Sequence, residues 1–171
     1  MPTSIDKLIS KGTGVAHSID ARLHGLTGVF RVLAEQHGEA GALLKRIKAD
    51  PDKRTDLWPT VRQELTSHEK GELAEVYPVL RQFAETRELA EQHDREAGEL
   101  SQLIEKIDQT SPSSGDWNRF FEQLVDMVEH HVEEEERDIF PRAQQVIGAD
   151  RAKELEPRFL AAKKAAIAHL A

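Results

Sequence analysis

The chain has 171 residues, a formal net charge of −8 and no cysteine. The missing cysteines exclude disulfides, thiolate metal ligands and a cysteine nucleophile, and the acidic balance argues against a surface for nucleic acid or anionic membrane. No segment approaches the roughly 18 apolar residues of a membrane span, and the N-terminus lacks the apolar core of a signal peptide. We therefore expect a soluble cytoplasmic protein without nucleic-acid or membrane partners.

Four segments carry apolar residues at alternating steps of three and four, which is the spacing of one helix face. Asp50-Pro51 ends the first segment, Pro59 suits the first turn of the second, Asp116 is a candidate N-cap for the fourth, and Gly148 stands where its C-cap is expected. The stripes cover residues 23–47, 61–83, 89–107 and 117–139.

Four helices of this length with short links predict an all-α protein, folded as an up-down-up-down four-helix bundle. The turn between the second and third helices is placed near residues 84–87, because one helix across both segments would be far longer than usual. Residues 20–147 form the predicted bundle domain. Residues 1–19 form an N-terminal extension, and residues 148–171 form a short C-terminal helix packed on the bundle.

Ionisable side chains interrupt the apolar stripes in a repeating order. A helix with one histidine in its stripe is followed by a helix with His-x3-Glu and, five residues later, an aromatic-Pro pair; this unit occurs twice. Histidine and glutamate four residues apart lie on one helix face, about one turn apart. The repeat predicts a metal site of near two-fold symmetry, with the candidate ligands His37, His68, Glu72, His93, His131 and Glu135.

The place of these side chains in the predicted core favours metal binding over ordinary packing. Buried carboxylates are costly unless paired or coordinated, and a metal offsets that cost because it binds deprotonated glutamate and neutral histidine. A single histidine on an apolar face is usually an ordinary core residue, but four of them with a repeated His-x3-Glu spacing favour a site. Without metal, we expect burial and mutual repulsion to raise the pKa values of Glu72 and Glu135.

Several other titratable residues remain open as alternatives. Glu69 and Glu136 each adjoin a candidate ligand and are alternate ligands. His130 points toward a helix flank, about 100° from its neighbour in the stripe. His17 and His24 share a face of a predicted N-terminal helix, where a second site is a weaker alternative.

Two other metal motifs do not fit the chain. Residues 68–72 begin like the His-Glu-x2-His helix of zinc proteases, but Glu72 occupies the final position. Ferritin-like di-iron bundles use Glu-x2-His, and none of the candidate histidines has a glutamate three residues before it. Imidazole and carboxylate without thiolate suit iron, manganese or zinc.

The chain resembles the hemerythrin-like, or HHE cation-binding, family over residues 20–147. That family places one histidine on helix one, His-x3-Glu on helix two, one histidine on helix three and His-x3-Glu on helix four, and the six candidate ligands match this pattern. The aromatic-Pro pairs after both glutamates also resemble the family. The resemblance implies a non-haem di-iron centre in which Glu72 and Glu135 bridge two irons, with zinc or manganese less favoured.

The chain departs from the oxygen-carrying hemerythrins at two places. Those proteins have His-x3-His on helix three, where His93 is followed by Ala97, and they end in His-x4-Asp, where this chain has Glu135 and Glu136. The lost histidine predicts open positions on both irons, which suits reaction with O2, peroxide or NO in detoxification or sensing better than oxygen transport. The alternatives are an iron or oxygen sensor or an O2-binding protein without turnover, and a structural metal site; the electron donor is unknown.

Overall fold

The structure is a computed structural model that describes residues 25–170. The predicted N-terminal extension of residues 1–19, which contains His17, lies outside the described residues, and so does His24. Within the described range all regular structure is helical, and no helix combines the length and the apolar character needed to cross a membrane. The elements are α1 Gly28–Ala49, a 3₁₀ turn Pro51–Lys53, α2 Arg54–Gly71 continued by Glu72–Val76 and Tyr77–Leu80, α3 Ala84–Asp108, α4 Gly115–Glu134 continued by Glu135–Ile139 and Phe140–Ile147, and α5 Ala149–Leu170.

The apolar core forms two clusters, and each of the helices α1 to α4 crosses both. α1 runs from Phe30 in the first cluster to Ile47 in the second, and α3 runs the same way. α2 runs from Trp58 in the second cluster to Leu80 in the first, and α4 runs with it. The alternating directions confirm the predicted all-α, up-down-up-down four-helix bundle. The candidate ligands lie between the two clusters in every helix, so they form a polar layer across an otherwise apolar core.

Three predicted boundaries are wrong by a few residues. α2 begins at Arg54, so Pro59 lies inside the helix and not in its first turn. The turn between α2 and α3 covers residues 81–83, not 84–87, because Phe83 has extended backbone and the Thr86 hydroxyl donates to the Leu80 carbonyl at 2.6 Å, which closes the end of α2. The N-cap of α4 is Ser114, whose Oγ accepts from the Asp116 N–H at 3.2 Å. Asp116 therefore lies in the first turn of α4, where its negative charge interacts favourably with the positive end of the helix dipole.

The last helix, α5, has 22 residues and equals α1 in length, so it is longer than the predicted short helix. Gly148 caps α4 as predicted, and its φ of +85° turns the chain so tightly that α5 begins at the next residue. α5 packs on α1 and α2. Gly28 has no room for a side chain, because a Cβ there would lie 2.3 Å from the carbonyl carbon of Ala152.

Candidate metal centre

The six candidate ligands meet in the polar layer, and all six are buried. With Glu69 they form two groups of four side chains, and the donor atoms in each group lie within 4.8 Å of one another. The first group is His37, His68, Glu72 and Glu135, and the second group is Glu69, Glu72, His93 and His131. Each group has the donor types and the spacing to hold a metal ion.

The two central glutamates lie between the groups. Glu72 belongs to both of them. Glu135 belongs to the first group, and its oxygens also lie 3.5 Å from His93 Nε2 and 3.4 Å from His131 Nε2 in the second. Both carboxylates therefore lie within reach of both groups.

One turn of π-helix begins at each of these glutamates, over Glu72–Val76 and Glu135–Ile139. In both turns the N–H of the following aromatic residue donates to the glutamate carbonyl five residues earlier. Pro78 and Pro141 come next, and a proline inside an α-helix clashes with the carbonyl four residues before it. The wider π turn relieves that clash, and such turns are frequent at functional sites. The sequence analysis recorded the aromatic-Pro pairs but did not predict the π turns.

The donor atoms that face the two groups lack well-directed hydrogen bonds. They include Nε2 of all four histidines, both oxygens of Glu72, and Oε2 of Glu69 and Glu135. Each buried polar atom left unpaired costs about 1–3 kcal/mol, and native proteins contain few of them. So many unpaired polar atoms in one layer are consistent with metal binding, because metal ions would take these atoms as ligands.

Three of the four ligand histidines contact a side-chain oxygen through Nδ1, the ring nitrogen that faces away from the two groups. Such a contact with an oxygen keeps the proton on Nδ1 and directs the Nε2 lone pair toward a metal. The contacts are His37 Nδ1 with Glu136 Oε1 at 2.9 Å, His68 Nδ1 with Gln36 Oε1 at 3.1 Å, and His131 Nδ1 with Glu96 Oε2 at 3.4 Å.

The fourth histidine, His93, is held by the ring of Tyr77, which stacks on it with centroids 3.5 Å apart and an interplanar angle of 12°. The Tyr77 hydroxyl donates to Glu135 Oε1 at 2.5 Å. Burial and the neighbouring carboxylates raise the pKa of Tyr77 well above its usual value, so the hydroxyl keeps its proton. The counterpart of Tyr77 in the repeat is Phe140, which stacks on His37 but has no hydroxyl to donate.

Histidines and glutamates stabilise each other's charged forms in the metal-free protein. Burial would lower the pKa of His37, but the two adjacent carboxylates raise it to about 9. Burial would raise the pKa of Glu72, but His68 and His93 hold it well below its usual value. Burial and the charge of Glu72 oppose the ionisation of Glu135, whose pKa is nonetheless lowered by its histidine neighbours. The expected rise in both glutamate pKa values is therefore wrong, because the imidazoles outweigh burial and repulsion.

A small cavity opens beside both groups. It offers about 20 Å³ to the centre of a water-sized molecule, and its lining includes His37, His68, Glu69, His131 and Lys163 together with apolar side chains. About 10–15 Å³ on this measure is enough for one water. The cavity can therefore admit a water or a diatomic molecule to the centre.

Glu69, which the sequence offered only as an alternate ligand, lies in the second group. Its Oε1 lies 3.2 Å from His131 Nε2, inside the second group. The sequence feature that pointed to Glu69 was its position one residue after His68, on the α2 face that points inward. The repeat gave no support for it, because Val132 occupies the equivalent position. The other alternate, Glu136, contacts His37 from behind, and the flank position predicted for His130 agrees with its 70% exposed side chain.

The bundle and its His/Glu layer define a class of helical protein with a candidate dinuclear metal centre. The family model described as the hemerythrin HHE cation binding domain matches residues 28–143, and the chain belongs to this family. The resemblance found in the sequence is thereby confirmed.

A curated relative is a DNA nickase from Nostoc sp. (strain PCC 7120 / SAG 25.82 / UTEX 2576). It is 27% identical over 154 residues, which are 89% of this chain and 43% of that protein. The chain therefore spans less than half the length of this relative. No solved structure matches the chain at a significant level.

Proposed function

We propose that the chain is a non-haem di-iron protein whose centre binds or reacts with O2, peroxide or NO, in detoxification or sensing and not in oxygen transport. The observation that carries the proposal is the pair of groups that share Glu72 and turn unpartnered donor atoms toward each other. Each group would hold one metal, with Glu72 and Glu135 between them. Bound irons would supply the redox chemistry with these small molecules.

The donor set favours iron or manganese over a structural zinc site. Structural zinc sites are almost always tetrahedral and closed, with four ligands for one ion. Here two glutamates are placed between two groups, and the donors are imidazole and carboxylate, which suit iron and manganese. Manganese shares these preferences with iron, so metal analysis has to separate the two.

If Glu72 and Glu135 serve both metals, the second group has five candidate ligands and the first has four, and this difference decides where a small molecule would bind. Glu69 adds a carboxylate to the second group, at 3.2 Å from His131 Nε2 and 3.5 Å from His93 Nε2. The missing helix-three histidine predicted open positions on both metals. We now infer that the metal of the first group is the more open one, because one fewer side chain is available to bind it, while the cavity borders both groups.

The proposal is tested by loading and by reaction with air. Protein from its native host, or protein loaded with Fe(II) without air, should contain two metals per chain, mainly iron. On exposure of the reduced protein to air, we expect an oxidation that evacuation does not reverse, together with consumption of added peroxide or NO. Full recovery of the reduced spectrum on evacuation would identify an oxygen carrier. One metal or fewer per fully loaded chain would contradict the dinuclear centre.

Two other functions give different results in the same experiments. A sensor or O2-binding protein without turnover would bind the small molecule and change stability but consume none of it. A structural zinc site would be colourless and would not respond to reductants.

The nickase activity is named for a relative more than twice as long as the matched region, and we do not propose it for this chain. A net charge of −8 provides little attraction to a polyanion. Supercoiled plasmid incubated with the metal-loaded protein should be nicked no faster than with the same amount of free iron. Faster nicking that depends on the protein would contradict this view.

A further inference from the structure

The fifth helix lies outside residues 28–143 matched by the family, yet one of its side chains reaches the centre. Lys163 is 8% exposed and lines the cavity. Its ammonium group donates to Gln36 Oε1 on α1 at 2.9 Å and to Glu64 Oε2 on α2 at 2.7 Å. A lysine this buried needs such partners, so it ties α5 to both helices at the level of the metal ligands.

The contact between Lys163 and Gln36 determines which nitrogen of His68 carries a proton. An ammonium group only donates, so the Gln36 atom that faces Lys163 must be the carbonyl oxygen and not the amide nitrogen. The same oxygen lies 3.1 Å from His68 Nδ1. Because that oxygen can only accept, Nδ1 must carry the proton, and Nε2 is left to bind a metal.

Packing from α5 holds the same imidazole. Phe159 lies one turn before Lys163, and its ring meets the His68 ring edge-on with centroids 5.8 Å apart. Gly71 leaves the space for this ring, because a Cβ at that position would lie 2.7 Å from a Phe159 ring carbon. α5 thus contacts His68 directly through Phe159 and indirectly through Gln36.

Two of the other ligand histidines, His37 and His131, have a carboxylate in the place of Gln36. Glu136 and Glu96 accept directly from His37 and His131, and a carboxylate presents an oxygen whichever way it turns. Gln36 can present either an oxygen or an NH2 group to His68, so its orientation has to be fixed by a third group.

We propose that Lys163 is a positioning residue for His68, which acts through Gln36 to select the imidazole tautomer that binds the metal of the first group. The metal-binding part of this inference rests on the proposed function, whereas the tautomer can be measured without any metal.

The test compares four variants of the full chain. Lys163→Met removes the donor, and Lys164→Met removes the same charge at the exposed neighbouring position. Lys163→Arg keeps a donor for Gln36. Gln36→Leu removes the acceptor but leaves the pair of Lys163 and Glu64 in place, so it remains informative if Lys163→Met folds poorly.

The first measurement is the long-range 1H–15N NMR spectrum of the metal-free protein, recorded at a pH high enough for the His68 signals to be those of the neutral ring. His68 should show a protonated Nδ1 in the wild type, in Lys164→Met and in Lys163→Arg. Lys163→Met and Gln36→Leu should shift the His68 nitrogen signals toward the other tautomer and leave the other three ligand histidines unchanged. In Fe(II) titrations against a chelator without air, both variants should bind one of the two irons about 10–100-fold more weakly.

Unchanged His68 signals in Lys163→Met and Gln36→Leu would overturn the proposal. So would equal changes at all four histidines together with a lower unfolding temperature, since that pattern indicates a general loss of packing. A wild-type chain that binds no iron would refute the proposed function, while the NMR comparison would still decide the role of Lys163.

Discussion

The bundle has two halves, one formed by α1 and α2 and the other by α3 and α4. Both halves carry the candidate ligands in the same order along the chain, but the surroundings of these ligands differ. Glu69 in the first half has Val132 as its counterpart, and Tyr77 has Phe140. Among the described residues, α5 packs mainly on the first half and brings Lys163 to its ligands. A repeated sequence unit therefore places equivalent donors in two metal sites, while single substitutions and an added helix make the sites chemically different.

The different surroundings of the two groups predict different roles for the two metals. The second group has an additional carboxylate and a histidine covered by the Tyr77 ring. The first group lacks that carboxylate and is supported by a residue from outside the four-helix bundle. We expect the second metal to be held by more donors and the first to be the one that small molecules reach. The following predictions test this contrast.

Removal of the shared carboxylate Glu72 should have the largest effect on metal loading. Glu72 belongs to both groups, so Glu72→Ala should abolish the loading of both metals in an Fe(II) titration followed by metal analysis. His130→Ala is the control, because this side chain is 70% exposed and lies outside both groups. Retention of one tightly bound metal in Glu72→Ala would mean that the two groups are independent.

Removal of Glu69 should affect the second metal alone. Glu69→Val reproduces the residue of the other half, and we expect the second metal to be lost or weakened by at least the roughly 10–100-fold typical of outer-shell changes. The first metal should stay. Glu129→Val, at an exposed position on α4, is the matched control. Equal weakening of both metals would show that Glu69 is not confined to the second group.

Metal removal should destabilise the whole domain and loosen the second half more than the first. At free metal concentrations about 100 times Kd, binding adds about 2.7 kcal/mol to the free energy of unfolding, or about 5–10 °C in Tm. In hydrogen exchange, amides of α3 and α4 should gain more exchange than those of α1 and α2, because α5 still packs on the latter pair. A uniform gain across all four helices would argue against this protective role of α5.

The stability of the metal-free protein should fall as the pH rises toward 9. The pKa of His37 is raised from 6.5 to about 9 in the folded state. The stability that its protonation contributes is therefore fully present below pH 6.5 and is lost as the pH rises through 9. The metal-loaded protein holds neutral histidines, so the Tm difference between the loaded and metal-free forms should widen over this range. A constant difference would contradict the ion pairing of His37.

The smallest effect is expected from Tyr77→Phe, which makes the aromatic positions of the two halves alike. The variant leaves Glu135 Oε1 without the donor that lies at 2.5 Å, at a cost of about 1–3 kcal/mol in the free energy of unfolding of the metal-free protein. In the loaded protein the cost should be smaller, because a metal also neutralises that carboxylate. Denaturant unfolding of the metal-free and loaded forms measures the cost of the substitution in each. A larger cost in the loaded form would contradict the prediction.

The sequence by itself determined the bundle and most of the centre, because both depend on short-range spacing. Apolar steps of three and four define helix faces, and the His-x3-Glu pairs in those stripes had to enter the core. Chain direction followed from the short links, and the Gly148 cap from the conformation that glycine permits. Each of these features depends on residues within one or two turns of each other.

Only the tertiary structure decided the features that depend on separate helices. Glu69 joined the centre because α3 and α4 bring His93 and His131 to its oxygens, which no spacing within α2 could reveal. The lowered glutamate pKa values required the distances to histidines on other helices, because burial and repulsion alone predicted the opposite sign. Lys163 lies 95 residues from His68 along the chain, and its role in orienting that ligand arises only because α5 packs across α1 and α2.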